Sequence, residues 1–295
     1  YMASLKEIKG RIASVRSTQK ITSAMKMVAS AKLRKAQYQI ERFLPYQGKL
    51  NEMLSAFLSS LPEFDSNLAE QREVRRVAIV VLSSNSSLCG AFNSNVHKLL
   101  RDRLNEYRSL GCSDVEIYTV GKKVEEYARK LPLPFPIKGS YVELMDHPNF
   151  EGAKEIAESL ISDFLQNKID RVEILYNHFK STAVQVPTIE QYLPLDLSQT
   201  AEVASESQLH ADYIVEPDTA TVLNQLLPKS LHSKVYAVLL DSAAAEQAAR
   251  TVAMQIATDN ANDLLEELTI QYNKQRQQAI TNELLDIVGG SEAQK

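Results

Sequence analysis

The stretch Val77-Ala78-Ile79-Val80-Val81-Leu82, followed at once by Ser83-Ser84-Asn85-Ser86-Ser87, decides how the rest of the chain is read. A continuous apolar run rich in β-branched residues, closed by a polar loop, has the pattern of a strand buried on both faces. Downstream, the texture alternates. A helical stretch at 93–110 leads to a strand Val115–Val120 and a helix at 121–130. Past the turn Pro132–Pro136 comes a short strand near Ile137–Tyr141, then a helix over 150–166 and a strand Val172–Phe179. Val184–Leu193 alternates like an antiparallel strand, with Val184, Val186 and Ile189 set among polar residues. Residues 196–211 read as polar loop and Tyr213–Val215 as an edge strand. Strands alternating with helices predict an α/β domain with a mostly parallel sheet.

Outward on both sides the strands stop. Residues 3–60 read as one helix: Ile8, Ile12, Val15, Thr22, Met25 and Ala29 recur mostly three and four apart, one stripe at helical period. A proline in a helix interior removes a hydrogen bond and clashes with the previous turn, so Pro45 is expected to bend or interrupt it and Pro62 to end it. From Asp218 to Val288 the pattern is helical again, with Ala257, Ala261, Leu264, Leu268 and Tyr272 as its stripe and Gly289-Gly290 as its expected stop. At a helical rise the two segments would reach roughly 85 and 90 Å, while a domain of ~140 residues is only ~30–40 Å across.

The fold class that follows is α/β: a long antiparallel coiled coil of N- and C-terminal helices plus a central Rossmann-like domain. Its expected parts are 1–72, 73–216 and 217–295. The seam is unusual, with Ala29, Ala36, Ala257, Ala261 and Asn260 where a coil built for stability alone carries larger apolar residues. Small seam residues imply close helix approach, or a slender rod that must fit inside something.

Composition narrows the function. The chain of 295 residues is 44% hydrophobic and 24% charged, the balance of a globular protein and not of a disordered one. Its apolar runs of about six residues, such as Val77–Leu82, fall far short of the ~18 that span a bilayer, and no basic-plus-apolar leader pattern opens it. Two cysteines, Cys89 and Cys112, exclude a disulfide framework and a four-cysteine zinc site, and the five histidines are scattered. Nine glycines are few against the ~7% of average usage. Neither G-x-G-x-x-G nor G-x-x-x-x-G-K-[ST] occurs, so both common glycine-rich phosphate cradles are missing. The net charge of −4 conceals a polarity: residues 1–37 hold nine basic side chains against Glu7 alone, or +8, which leaves −12 on the other 258 residues. An N-terminal segment of that sign is suited to an acidic partner.

Four groups of residues resemble one family. They are Ile21-Thr-Ser-Ala-Met-Lys-Met-Val-Ala-Ser-Ala-Lys-Leu-Arg-Lys35; Leu88-Cys-Gly-Ala-Phe-Asn93; Glu246-Gln-Ala-Ala-Arg250 with Ala257-Thr-Asp-Asn-Ala-Asn262; and Ala279-Ile-Thr-Asn-Glu283 with Ile287-Val-Gly-Gly290. In this order, across essentially the whole chain, they resemble the gamma subunits of F-type ATP synthases, bacterial type. The resemblance implies a non-catalytic rotor shaft, one copy per complex. It implies torque passing between a proton-driven membrane c-ring and a catalytic ring of alpha and beta subunits, whose sites the shaft makes unequal. It further implies an epsilon-type small subunit at the foot and no cofactor on this chain, since the partner subunits bind MgATP and ADP. No nucleic acid is expected. The expected location is peripheral, on the cytoplasmic face of the bacterial inner membrane, with membrane association only through the c-ring. Two departures stand out. Asn85-Ser86-Ser87 replaces the family's usual Asp-Arg-Gly, and the paired cysteines of redox-regulated chloroplast members are missing, so no thiol regulation is expected.

By that resemblance Met25, Lys26, Lys32, Arg250, Gln277, Thr281 and Glu283 would contact the catalytic ring, and Ile280, Leu284, Ile287 and Val288 would form an apolar tip held in a collar. On residue type alone the readings are plainer: a solvated basic face, Met25 in the seam, Met27 filling a gap, and exposed polar side chains further on. Arg250 has the planar five-donor fork suited to fixed carboxylate or carbonyl partners. Asp170, Glu173, His178 and Ser83–Ser87 could be assembled on paper into a hydrolytic site, but no nucleophile-elbow motif is present. The alternative to the rotor is a coiled-coil scaffold or nucleic-acid-binding protein gripping phosphate with its basic helix. A Rossmann-like nucleotide enzyme is a further rival that the missing glycine loops oppose.

Overall fold

The computed structural model describes residues 4–61, 64, 66–112, 114–131, 135–196 and 215–292. Helix α1 spans Leu5–Ser60. Then come β1 (Arg76–Leu82), α2 (Phe92–Ser109), β2 (Asp114–Val120), α3 (Lys122–Ala128) and β3 (Ile137–Ser140). The short helix α4 (Glu143–Asp146), α5 (Phe150–Leu165), β4 (Arg171–Phe179) and β5 (Gln185–Leu193) follow, and α6 runs over Thr219–Glu292. In chain order the described backbone is thus a long helix, a mostly parallel five-stranded sheet with its own helices, and a second long helix. The chain groups into two compact units: residues 1–29 with 251–295, and residues 30–250.

In the second unit the strands lie in the order β3-β2-β1-β4-β5. The first three pairings are parallel, and only β4 with β5 is antiparallel. The apolar run at Val77–Leu82 forms the middle strand and is fully buried. Successive strand side chains point to opposite faces. Val77, Ile79 and Val81 therefore meet Val96, Leu100, Leu104 and Tyr107 of α2, while Ala78, Val80 and Leu82 join a larger core. That core takes α5 (Ile156, Leu160, Phe164), the end of α1 (Leu50, Leu54, Phe57) and the start of α6 (Leu223, Leu227, Leu231, Val235). Residues 242–246 of α6 are buried at every position, as expected of a helix enclosed on all sides.

The first unit is a pair of helical segments. Among the less exposed positions of α1 are Leu5, Ile8, Ile12, Val15, Gln19, Thr22, Lys26 and Ala29. On α6 they include Met254, Thr258, Ala261, Leu265, Leu268, Tyr272, Gln275 and Ala279. Both sets alternate by three and four, the 3.5-residue repeat of a coiled coil. Thr22 and Thr258 face each other at 2.9 Å. In the second unit Leu33 and Ala36 of α1 pack with Ala244 and Ala248 of α6.

Several expectations are corrected. Of the bend or interruption expected at Pro45, the interruption is excluded, since Pro45 lies within α1. Pro45 and Glu41, whose carbonyl loses its donor, are both exposed, so water can take the vacated bond. Gly289-Gly290 do not stop α6, whose backbone stays helical to Glu292. Leu264 and Asn260 are exposed beside the seam and Leu265 turns inward, because the packed repeat is 3.5 and not 3.6 residues. Helix α4 had no sequence expectation at all. Pro62, Pro132–Pro134, residues 197–211 and the strand expected at Tyr213–Val215 fall outside the described residues, except Val215, which is in neither helix nor strand.

Candidate functional site

In a doubly wound sheet, ligands bind outside the carboxyl ends of the strands where the strand order reverses. Here that point lies between β1 and β4. The loop after β1 is built by side-chain bonds. Ser83 Oγ accepts from the Val124 amide at 2.8 Å, and the Ser84 amide donates to Asn93 Oδ1 at 3.1 Å. Asn85 Oδ1 accepts from the Lys122 amide at 2.9 Å. Its Nδ2 donates to the Val142 carbonyl at 2.8 Å and to Asp146 Oδ2 at 2.7 Å. Leu88 then takes φ +69° and Gly90 φ +58°, a left-handed backbone that L side chains rarely adopt. The divergent Asn85-Ser86-Ser87 segment is therefore firmly anchored.

The crevice itself is filled by α6. Ala245 and Ala249 pack with Cys89, Phe92 and the partly buried Phe179. Arg250, 8% exposed, donates through Nη1 to the Ser87 carbonyl and through Nη2 to the Ser86 carbonyl. Its Nη2 also meets Glu246 Oε1 at 2.7 Å. Burial pushes the Glu246 carboxyl above its ordinary range, with Arg250 pulling it back. Burial likewise raises the Cys89 thiol, which works against thiolate reactivity. At the end of β4, Asp241 of α6 accepts from the Phe179 amide at 3.0 Å and pairs with His178 Nδ1 at 2.6 Å. The place where a Rossmann sheet would hold a nucleotide is closed by the chain's own helix. Sequence reasoning singled out Arg250 but not this partner set. The available signal was the pair of opposite charges at i and i+4, Glu246 inside the alanine-rich run Ala243–Ala249 and Arg250 directly after it.

The other candidates fall in two places. In the first unit Met25 and Lys26 are half-buried, while Gln277, Thr281 and Glu283 are exposed. The Thr281 hydroxyl donates to the Gln277 carbonyl at 2.9 Å. Ile280, Leu284, Ile287 and Val288 are 46%, 58%, 68% and 57% exposed. Met27, expected to fill a gap, is instead 65% exposed. Lys32 belongs to the second unit and is exposed, and of the nine basic residues in 6–35 only Lys26 is partly covered.

The paper hydrolytic site does not assemble. Asp170 accepts from Arg76 Nη2 at 2.8 Å and from the Arg76 amide at 2.9 Å. Glu173 accepts from Arg103 Nε at 2.7 Å, and His178 belongs to Asp241. Asp170 and His178 sit near opposite ends of β4, which at ~3.3 Å per residue puts them roughly 25 Å apart. Among the described residues no group of three or more His, Cys, Asp or Glu is placed to hold a metal ion. No described helix is long and apolar enough to cross a membrane.

Comparison with known proteins adds three kinds of likeness. The ATP synthase family profile matches residues 4–294. The ATP synthase gamma chain of Azobacteroides pseudotrichonymphae is 58% identical over 294 residues, covering 100% of both chains. That of Phocaeicola vulgatus is 58% identical over 292 residues, covering 99% of this chain and 100% of the relative. Among solved structures, a chain of the central stalk and c-ring of the Tetrahymena thermophila mitochondrial ATP synthase superposes with a TM-score of 0.58 at 27% identity. That match covers 80% of this chain and 99% of the other.

Proposed function

The chain belongs to the gamma-chain family of ATP synthases, and from that membership we propose the working parts of a rotor shaft. The protein is a subunit of an enzyme complex, and in this reading it carries no active site and no cofactor of its own. MgATP and ADP belong to the alpha and beta subunits of the catalytic ring. One copy stands in the complex, on the cytoplasmic face of the bacterial inner membrane. An epsilon-type subunit and the c-ring contact its foot, and it touches the membrane only through the c-ring. Residues 1–72 and 217–295 serve as the shaft and 73–216 as the foot.

Each catalytic subunit has conformations of different affinity for ADP, phosphate and ATP. A partner shifts such an equilibrium only by binding the conformations unequally. A shaft whose faces differ biases three surrounding subunits differently, and turning it moves that bias around the ring. Met25, Lys26, Lys32, Gln277, Thr281 and Glu283 provide the changing contacts. Exposed ion pairs are individually worth at most about 1 kcal/mol, which suits contacts made and broken at every step. Ile280, Leu284, Ile287 and Val288 meet an apolar collar. Arg250, assigned to the ring on resemblance, also donates inside the chain to the Ser87 and Ser86 carbonyls and to Glu246.

The observation that carries this reading is the pairing of a closed nucleotide crevice with a bare stretch of helix at 280–288. Arg250 and Glu246 fill the first, and the apolar side chains of 280–288 are exposed on the second. Large exposed apolar residues at a helix end call for a partner. Reconstitution tests it: the purified chain is mixed with a cognate alpha–beta ring, and MgATP hydrolysis and assembly mass are measured. One copy per six ring subunits, with hydrolysis dependent on the chain, is the expected result. Failure to assemble, together with nucleotide or nucleic-acid binding by the chain alone, would overturn it.

A further inference from the structure

The geometry points to Arg250 and Glu246 as the pair that sets the angular register of α6 against the α/β domain, and so the phase between shaft and foot. The inference rests on the rotor reading but is carried by the contacts themselves. Around Arg250 the apolar packing is between small or flat groups: Ala245 and Ala249 with Cys89, Phe92 and Phe179. Apolar burial is non-directional, and an alanine face packs about as well after a small turn of the helix. The guanidinium is different. It holds two successive carbonyls, of Ser87 and Ser86, on one side and the Glu246 carboxylate on the other. Its planar fork satisfies all three only at one helix rotation.

Two further features show a site built around that fork. Leu88, next to the carbonyls, holds φ +69°, a backbone that persists only where its surroundings over-determine it. The loop is also pinned from its far side, by Asn85 to the Val142 carbonyl, Asp146 and the Lys122 amide. Torque on α6 would thus reach the loop after β1, α3 and α4 through this clamp, beside the Asp241 contacts to the end of β4. A buried ion pair is poor evidence for stability, and its best-attested use is fixing register. Arg250 acts here through position and touches no reacting group.

The test uses the full-length chain, alone and in the assembled membrane complex. Spin labels at Arg101→Cys on α2 and Lys229→Cys on α6, in a Cys89→Ala, Cys112→Ser background, report the angle between helix and domain. Wild-type Arg250 should give one narrow distance distribution, and Arg250→Met a broad or shifted one. In the assembled complex Arg250→Met should pump several-fold fewer protons per ATP hydrolysed, with hydrolysis retained. Arg250→Lys should recover only part of the loss, because a compact ammonium lacks the planar fork that spaces two carbonyls and a carboxylate. Glu246→Leu/Arg250→Met removes the stranded carboxylate. It should fold at least as well as the single variant yet stay uncoupled, which separates register from stability. A narrow, unshifted distribution and normal coupling in the double variant would overturn the inference. Failure of the unsubstituted chain to assemble or pump would instead count against the rotor reading.

Discussion

Thr22 and Thr258, 236 positions apart in the chain, lie hydroxyl to hydroxyl at 2.9 Å in the seam of the first unit. Thr258 also reaches the Met254 carbonyl at 2.7 Å, and Thr22 the Gln19 carbonyl at 3.1 Å. A polar pair in a coiled-coil seam costs stability and specifies register. Removing one hydroxyl forfeits the bond across the seam and leaves its partner with the backbone carbonyl alone, whereas replacing both by apolar groups of similar shape is close to neutral. Thr22→Val or Thr258→Val alone should each destabilise the coil by about 1 kcal/mol. The double variant should recover most of that loss. Hydrogen exchange of amides 15–29 and 251–268 would measure both, and additive losses in the double variant would refute the pairing.

Asp170 makes the fold acid-sensitive. Burial pushes its carboxyl up, but the Arg76 side chain and the amides of Arg76 and Arg75 outweigh it and hold it below the ordinary carboxylate range. A group depressed in the folded state contributes stability above its unfolded pKa of about 3.9 and loses it as pH falls through the folded value. Asp170→Asn should therefore cost about 2 kcal/mol at pH 7. The gap between variant and wild type should close as pH drops below about 4. Urea unfolding across pH 2–7 checks the sign; a gap that stayed constant would mean that the charge of Asp170 contributes nothing.

Gly121 joins β2 to α3 at φ +104°, and an added Cβ would overlap the Ser83 carbonyl. The Ser83 loop cannot retreat, since its hydroxyl accepts from Val124. Gly121→Ala should lose on the order of 3 kcal/mol from combined strain and clash. A melting temperature within a degree of wild type would show that the loop yields.

Residues 284–288 add nothing to either core. Leu284, Leu285, Ile287 and Val288 are all more than half exposed. Truncation after Glu283 should leave thermal unfolding of the α/β domain unchanged within about 2 °C, while lowering ATP synthesis or proton pumping in the assembled complex. Unfolding of the domain on truncation would contradict the exposure seen here.

Most of the architecture was legible in the chain itself. The strand at Val77–Leu82, its alternation with helices and the two flanking stripes are local patterns of apolar spacing, and local spacing is set by backbone geometry alone. The basic N-terminal segment, the missing glycine cradles and the likeness of four separated motifs were equally open to reading. What failed was whatever depends on a neighbour. Pro45 and Gly289-Gly290 would break an isolated helix, yet both lie inside helical backbone. Leu264 belongs to a 3.6-residue stripe and is exposed, because two packed helices follow a 3.5-residue seam. Arg250 reads on residue type alone as an exposed side chain, as an arginine on a helix usually is, and it is buried. Only the return of α6 to the end of β1, across 163 residues of chain, placed its guanidinium against two carbonyls. Periodicity is written residue by residue along the chain. The partners that enclose a charge are brought together only by folding.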